Sequence, residues 1–474
     1  MTGIKKKFDE IWIEENLRNL KFSKNVALVY PEQFKVGSSN LGFHILIKNL
    51  ISIGHKPVRF FYDRANQEFF SYDTDKKIND FQYIFITISY ENDLDNLKKG
   101  FKSSFKHFPA SNNKIIIGGA AVNLSPFLFY DFATEFGIGE SEEYFNKSFN
   151  IEELDFLKSE LIKDHFNNDL FDNKSIIEKK KILNNKLLEF KSYYYRVSNT
   201  KIPAYSIFIS KYSSFPNYFL IELSRGCPFK CHFCNLGFLY ENYKLFDLDQ
   251  IINKLMYAYK FTKNFGLISA VVPPYKYIEE IRKAFPDATL HLSSLRLDSI
   301  SDNFLNIISQ MKLKTVTIAP ETAIEKLRFS IGKRFTNNEI IEFILLAMNK
   351  GISRFKFYFI LGLKSMYFEY NYEKRMEELI CEADALILLI DKIQNHTKQK
   401  LNKLPKISIS INPLIPKPLT ELSLYNFIDL ELYKKIKIYL CKEIYKRKNI
   451  NIEFISYNEA KREYQLSWNN LFEI

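Results

Sequence analysis

Arg225-Gly226-Cys227-Pro228-Phe229-Lys230-Cys231-His232-Phe233-Cys234 comes one serine after the apolar run Phe219-Leu220-Ile221-Glu222-Leu223. An apolar run of that length reads as a buried strand, and the glycine and proline that follow mark the turn ending it. Three cysteines spaced C-x3-C-x2-C therefore lie at the carboxyl end of a strand. Three thiolates can bind three irons of a four-iron cubane and leave the fourth iron open to a substrate. A structural zinc site calls for a fourth close ligand and usually for paired C-x2-C knuckles. His232 lies between two of the cysteines, where it is badly placed to complete a tetrahedron. Cys381 and Cys441 are single and far downstream. Cys227, Cys231 and Cys234 are thus the candidate ligands of a 4Fe-4S cluster.

Working outward, the chain alternates apolar runs with helical stretches. Strands are expected over 219–223, 267–272, 289–292, 315–319, 355–360 and 407–411, with helices over 248–261, 277–284, 301–311, 338–350 and 372–393. Six such repeats make a partial (β/α)6 barrel, placed at 217–424, with active groups at the carboxyl ends of its strands. Upstream, 25–30, 58–62, 83–88, 114–117 and 136–140 read as strands. Ser38-Ser39-Asn40 offers an N-cap for a helix carrying Leu41, Ile45, Leu46 and Leu50. This alternation implies an α/β fold, a doubly wound parallel sheet over 1–145 with its ligand cleft at the strand ends. The stretch 146–216 is rich in Lys, Asn and Asp and reads as a linker that packs against both neighbours, and 425–474 as a small C-terminal cap or the tail of the barrel.

A chain of 474 residues is too long for one compact core. Charged Asp9, Glu10, Glu14 and Glu15 stand where a signal peptide needs an apolar block, and no transmembrane segment is expected. Five cysteines with three in one motif fit a reducing compartment, so a cytoplasmic protein is expected. The net charge of +12 suits anionic partners, among them RNA or an acidic electron donor. Lysine is spread along the chain, however, so nucleic acid is not the favoured partner.

The cysteine spacing, with the aromatic Phe233 before the last cysteine, resembles the signature of the radical SAM superfamily. The resemblance implies that S-adenosylmethionine chelates the unique iron through its amino and carboxylate groups. An electron from the reduced cluster, supplied by a flavodoxin- or ferredoxin-type donor, then releases a 5′-deoxyadenosyl radical. Phe229, Phe233, Leu236 and Phe238 would shield the cluster, or simply pack the core. Arg296 is placed to pair with the methionyl carboxylate and Ser293 to bond the ribose; a solvated arginine is the bland alternative. Glu321 falls where relatives often use a glutamate to accept hydrogen bonds from both ribose hydroxyls, a helix N-cap being the alternative. Gly362 would let backbone approach the adenine, or would merely make a turn. Ala270-Val271-Val272-Pro273-Pro274 departs from the Gly-Gly-Glu that orients the methionyl amine in many members.

The first region resembles the cobalamin-binding domain that precedes the barrel in one large radical SAM class. Tyr30-Pro31-Glu32, Gly37-Ser38-Ser39-Asn40-Leu41-Gly42, Ser89-Tyr90-Glu91, Ile117-Gly118-Gly119 and Gly139-Glu140 carry this resemblance. It implies cobalamin as a further cofactor, with Gly118, Gly119 and Gly139 at its binding edge. The Asp-x-His-x-x-Gly motif of classical cobalamin proteins is absent, and His44 falls inside the expected helix as a packing residue. No cysteine in this region can hold a second cluster, which argues against a methylthiotransferase. The reading is a radical SAM enzyme, favoured as a cobalamin-dependent methyltransferase acting on an unactivated carbon. A non-methylating radical reaction and a cluster-bearing RNA-binding protein are the alternatives.

Overall fold

The computed structural model describes residues 9–14, 22, 24–105, 113–145, 150–240, 242–271, 274–292, 296–297, 304, 306–307, 315–364 and 371–468. Two compact units emerge, one of Met1–Leu223, Phe246–Leu267 and Leu466–Ile474, the other of Ser224–Leu245 and Ile268–Gln465. This partition departs from the expected boundaries: the stretch read as a linker belongs to the first unit.

The first unit contains β1 (Lys24–Tyr30), α1 (Leu41–Ser52), β2 (His55–Asp63), β3 (Glu68–Ser71), β4 (Tyr83–Thr87), α2 (Asp93–Ser104), β5 (Lys114–Gly118), α3 (Ala120–Leu124), β6 (Glu135–Gly137) and β7 (Leu157–Lys158). Its seven strands lie in the order β3-β2-β1-β4-β5-β6-β7. The middle five are parallel, and both edge strands run antiparallel. Val26–Tyr30 are all buried, as are Tyr83–Thr87. Such unbroken apolar runs are what a parallel sheet covered on both faces requires. Strand order reverses between β1 and β4, so the loops after these two strands flank a topological switch point, where open α/β sheets bind ligands.

The Lys- and Asn-rich stretch earns its place in this unit through packing. β7 pairs with β6, and α4 (Ile176–Tyr194) starts on a capping box of Ser175 and Glu178. Phe208–Ser210 pairs antiparallel with Glu10–Trp12. This pairing is anchored by Arg59 of β2, whose guanidinium bonds Glu10 at 2.8 and 3.0 Å and Asp73 at 2.6 and 2.9 Å. Arg59 also lies over the Phe208 ring at 4.9 Å. Arg59→Met leaves two part-buried carboxylates facing each other without a cation. Urea unfolding is expected to show a loss of about 3–5 kcal/mol, and a change below about 1 kcal/mol contradicts the anchoring role.

β8 (Phe219–Glu222), α5 (Leu248–Ala258) and β9 (Asn264–Ile268) complete this unit's main elements, except that Ile268 falls in the second. β9 begins earlier than its sequence suggests because Gly266 is an interior strand residue rather than a break. A Cβ there would lie 2.4 Å from Leu220 Cδ2, so a larger residue would push that side chain aside.

The second unit contains α6 (Tyr275–Ala284), β10 (Thr289–Leu292), β11 (Thr315–Glu321), α7 (Glu325–Ser330), α8 (Asn337–Asn349), β12 (Arg354–Leu361), α9 (Tyr372–Leu401), β13 (Lys406–Pro413), α10 (Leu430–Tyr445) and β14 (Ile450–Phe454). β11, β12, β13 and β14 form a sheet in that order, every pair parallel. Phe355, Phe357, Phe359 and Leu361 are buried in alternation, so one face of β12 builds the core. The C-terminal region, read as a cap or as the tail of the barrel, continues the β-α alternation through α10 and β14, with Ile407 opposite Ile450. The helix expected over 301–311 lies, apart from 304, 306 and 307, outside the described residues. Among the described residues no helix is long and apolar enough to cross a membrane.

Candidate active site

The cysteine loop opens where Ser224–Arg225 pairs antiparallel with Lys244–Leu245. The Cys234 N–H donates to the Cys231 carbonyl at 3.0 Å, a tight turn that leads into a short helix over Leu236–Leu239. Backbone bonds fasten the loop on two sides: His232 N–H donates to Ile331 at 3.2 Å, and Leu422 N–H donates to His232 at 3.1 Å. Cys231 is buried, while Cys227 and Cys234 are half-buried. Burial pushes the thiols of Cys227 and Cys234 up, and their neighbouring cysteines add to this. Among the described residues, no three His, Cys, Asp or Glu side chains converge as a single metal ion requires. Three cysteine thiols on one short loop are the donor set that a 4Fe-4S cluster takes, so these residues fit such a cluster.

Arg296 reaches this loop, though differently from expectation. Its Nη1 donates to Cys231 Sγ at 3.0 Å and its Nη2 to the Gly332 carbonyl at 2.6 Å. The guanidinium stacks on Phe229 at 3.8 Å from the ring centroid. The guanidinium expected to pair with a methionyl carboxylate is thus engaged by a cysteine sulfur. Ser293, the expected ribose contact, lies outside the described residues.

Glu321 closes β11 and is buried, with φ at +64°, after a register shift between Ile318 and Glu321. A glutamate in the left-handed region is strained, and such strain persists only where neighbours enforce it. Lys333 is the enforcing neighbour: its Nζ donates to Glu321 Oε1 and to the Ala319 carbonyl, both at 2.7 Å. Burial pushes the Glu321 carboxyl up, while Lys333 and Arg296 oppose that rise. The N-cap alternative is corrected, because Ile324 occupies the cap of α7. Buried Arg328 holds the intervening loop through the Thr322 and Phe335 carbonyls at 2.6–3.0 Å. Lys333 Nζ also stands 5.9 Å from the Phe233 ring, which brings the cysteine loop and the β11 end together. Sequence reading missed Lys333; the one available signal was a Gly-Lys pair in the loop after a helix.

Gly362 follows β12, and its N–H donates to Glu382 Oε2 at 2.9 Å, while the Lys364 N–H donates to Oε1 at 2.7 Å. A buried carboxylate of α9 therefore pins this turn. A small cavity is lined by Glu321, Thr322, Phe359, Leu361, Glu382 and Leu386 among others, so the β11 and β12 ends share one space.

In the first unit, the glycines have a reason internal to the fold. A Cβ at Gly119 would stand 2.4 Å from the Ile88 carbonyl oxygen, one at Gly139 2.2 Å from that of Arg196, and one at Gly118 3.0 Å from that of Gly137. Backbone crowding thus gives all three glycines a reason within the fold, whatever they border. The switch point is better marked by side chains. Asn40 caps α1 by accepting the Phe43 N–H at 2.9 Å and donates to Ser89 Oγ at 2.9 Å; Tyr30 donates to the same oxygen at 3.2 Å. The loops after β1 and β4 are thereby joined by a polar corner. His44 is fully buried, with Nε2 on the Ser38 carbonyl and Nδ1 accepting the Ile207 N–H, and burial lowers it to about 4. It is the packing residue expected. No histidine stands in the loops 31–40, 88–92, 118–123 or 138–140.

A family model described as the radical SAM superfamily matches residues 221–370. An uncharacterized protein of Methanocaldococcus jannaschii, MJ0966, is 30% identical over 449 residues, covering 93% of this chain and 87% of that protein. Among solved structures, the radical S-adenosylmethionine methyltransferase TsrM from Kitasatospora setae, with cobalamin and a 4Fe-4S cluster bound, aligns at a TM-score of 0.50. That alignment has 12% identity and covers 82% of this chain and 75% of that one. The apo cobalamin-dependent S-adenosylmethionine radical enzyme OxsB aligns at 0.51 with 14% identity, covering 96% of this chain and 62% of that one. At such identities the likeness is one of fold: a doubly wound sheet followed by radical SAM strands.

Proposed function

The chain belongs to the radical SAM superfamily, and on that footing we propose that it is a cobalamin-dependent methyltransferase acting on an unactivated carbon. Cys227, Cys231 and Cys234 would hold the cluster, which supplies the electron that cleaves S-adenosylmethionine. Phe233 and Leu236 border the thiols and keep water away. Glu321, fixed by Lys333, would accept hydrogen bonds from the ribose through its second carboxylate oxygen, and the Gly362 turn, fixed by Glu382, would border the adenine.

The observation that carries the methyl-transfer reading is the switch point between β1 and β4, tied by Tyr30, Asn40 and Ser89. Polar side chains gathered at this switch point, in loops whose sequence holds no histidine, would suit a corrin held without a protein base. Cobalamin would supply the methyl carrier; the protein's part is to bind it and leave its lower face open. Titration with hydroxocobalamin is expected to give a stoichiometric complex whose reduced, paramagnetic form shows no imidazole nitrogen. Failure to bind at micromolar cobalamin contradicts methyl transfer and leaves non-methylating radical chemistry as the reading.

A further inference from the structure

Arg296 is hydrogen-bonded to a sulfur of the cysteine loop, and three contacts fix it there. Nη1 lies 3.0 Å from Cys231 Sγ, Nη2 lies 2.6 Å from the Gly332 carbonyl, and the plane rests on Phe229 at 3.8 Å. A stacked, doubly bonded guanidinium keeps its direction, which a freely rotating ammonium does not. Cys231 is also the buried member of the three, so its bond to the cation is shielded from water.

We infer that Arg296 sets the reduction potential of the cluster by donating a charge-assisted hydrogen bond to the sulfur of Cys231. The inference rests on the cluster ligation proposed above. Reduction adds one electron to the cluster and makes its sulfurs more negative. A fixed cation bonded to one of them stabilises the reduced form more than the oxidised form and raises the potential. Arg296 is then a tuning residue: it makes the first electron easier to deliver without touching the substrate radical chemistry.

The test uses the full chain, reconstituted anaerobically as wild type, Arg296→Gln and Arg296→Lys. Iron and sulfide are measured first, and then the ratio of oxidised to reduced cluster at fixed solution potential, followed by electron paramagnetic resonance. Arg296→Gln with four irons is expected to raise that ratio roughly tenfold, equivalent to about 59 mV for a one-electron couple. Arg296→Lys, which keeps the charge but loses the fork and the stack, is expected to shift it in the same direction by less. Unchanged ratios in both variants, with the cluster intact, overturn the inference and leave the ligation standing. If Arg296→Gln fails to retain iron, the lysine variant decides by the same criterion. A wild-type chain that takes up no iron overturns the ligation and this inference together.

Discussion

Replacing Cys227, Cys231 and Cys234 together with alanine is expected to leave a folded chain that takes up no iron and no sulfide on reconstitution. The loop's position does not depend on its thiols, because His232 is bonded through its backbone to Ile331 and Leu422. The short helix over Leu236–Leu239 and the ribbon of Ser224–Arg225 with Lys244–Leu245 are likewise built from backbone bonds. The variant should therefore show unchanged circular dichroism with complete loss of the cluster's charge-transfer absorbance. Without a cluster no electron reaches S-adenosylmethionine, so 5′-deoxyadenosine formation falls to background. Retention of a full cluster in the triple variant contradicts the ligand assignment.

Glu321→Gln is expected to weaken S-adenosylmethionine binding by about tenfold to a hundredfold while the iron content stays constant. Hydrogen bonds to a charged acceptor are worth about 1.5–3 kcal/mol, and a neutral amide oxygen recovers only part of that. The same substitution unbalances Lys333, whose buried ammonium keeps the Ala319 carbonyl but loses its carboxylate. Lys333→Met should produce a comparable loss of affinity together with reduced thermal stability, because it strands a buried carboxylate at a strained φ. Equilibrium dialysis of the reconstituted proteins against labelled S-adenosylmethionine measures both effects. Unchanged affinity in Glu321→Gln would make the ion pair purely structural.

The parts of this molecule that sequence reveals are those written in local pattern. Unbroken apolar runs such as Val26–Tyr30 announce a covered parallel sheet, and C-x3-C-x2-C after a strand announces a cluster loop. What stayed hidden depends on partners distant along the chain. The Arg296–Cys231 contact spans 65 residues, Gly362–Glu382 spans 20 and Lys333–Glu321 spans 12, and none has a periodic signature. β7 escaped notice because a two-residue edge strand in a polar stretch is specified by pairing with β6, not by its own composition. β9 was displaced because a glycine within a strand looks like a break until its neighbour Leu220 is known. At the carboxyl end the choice between a cap and the tail of the barrel stays open in sequence for a similar reason: Ile450–Phe454 is legible as a strand, but its parallel partner β13 is not.

Under the proposed function this chain uses a cluster on Cys227, Cys231 and Cys234 to cleave S-adenosylmethionine reductively, with cobalamin as the methyl carrier. The most direct test of that function is product analysis of the reconstituted protein incubated anaerobically with S-adenosylmethionine, hydroxocobalamin and a low-potential reductant. The expected products are 5′-deoxyadenosine that requires the cluster, together with S-adenosylhomocysteine that requires cobalamin. A fully clustered and reduced chain that forms neither product contradicts the proposal.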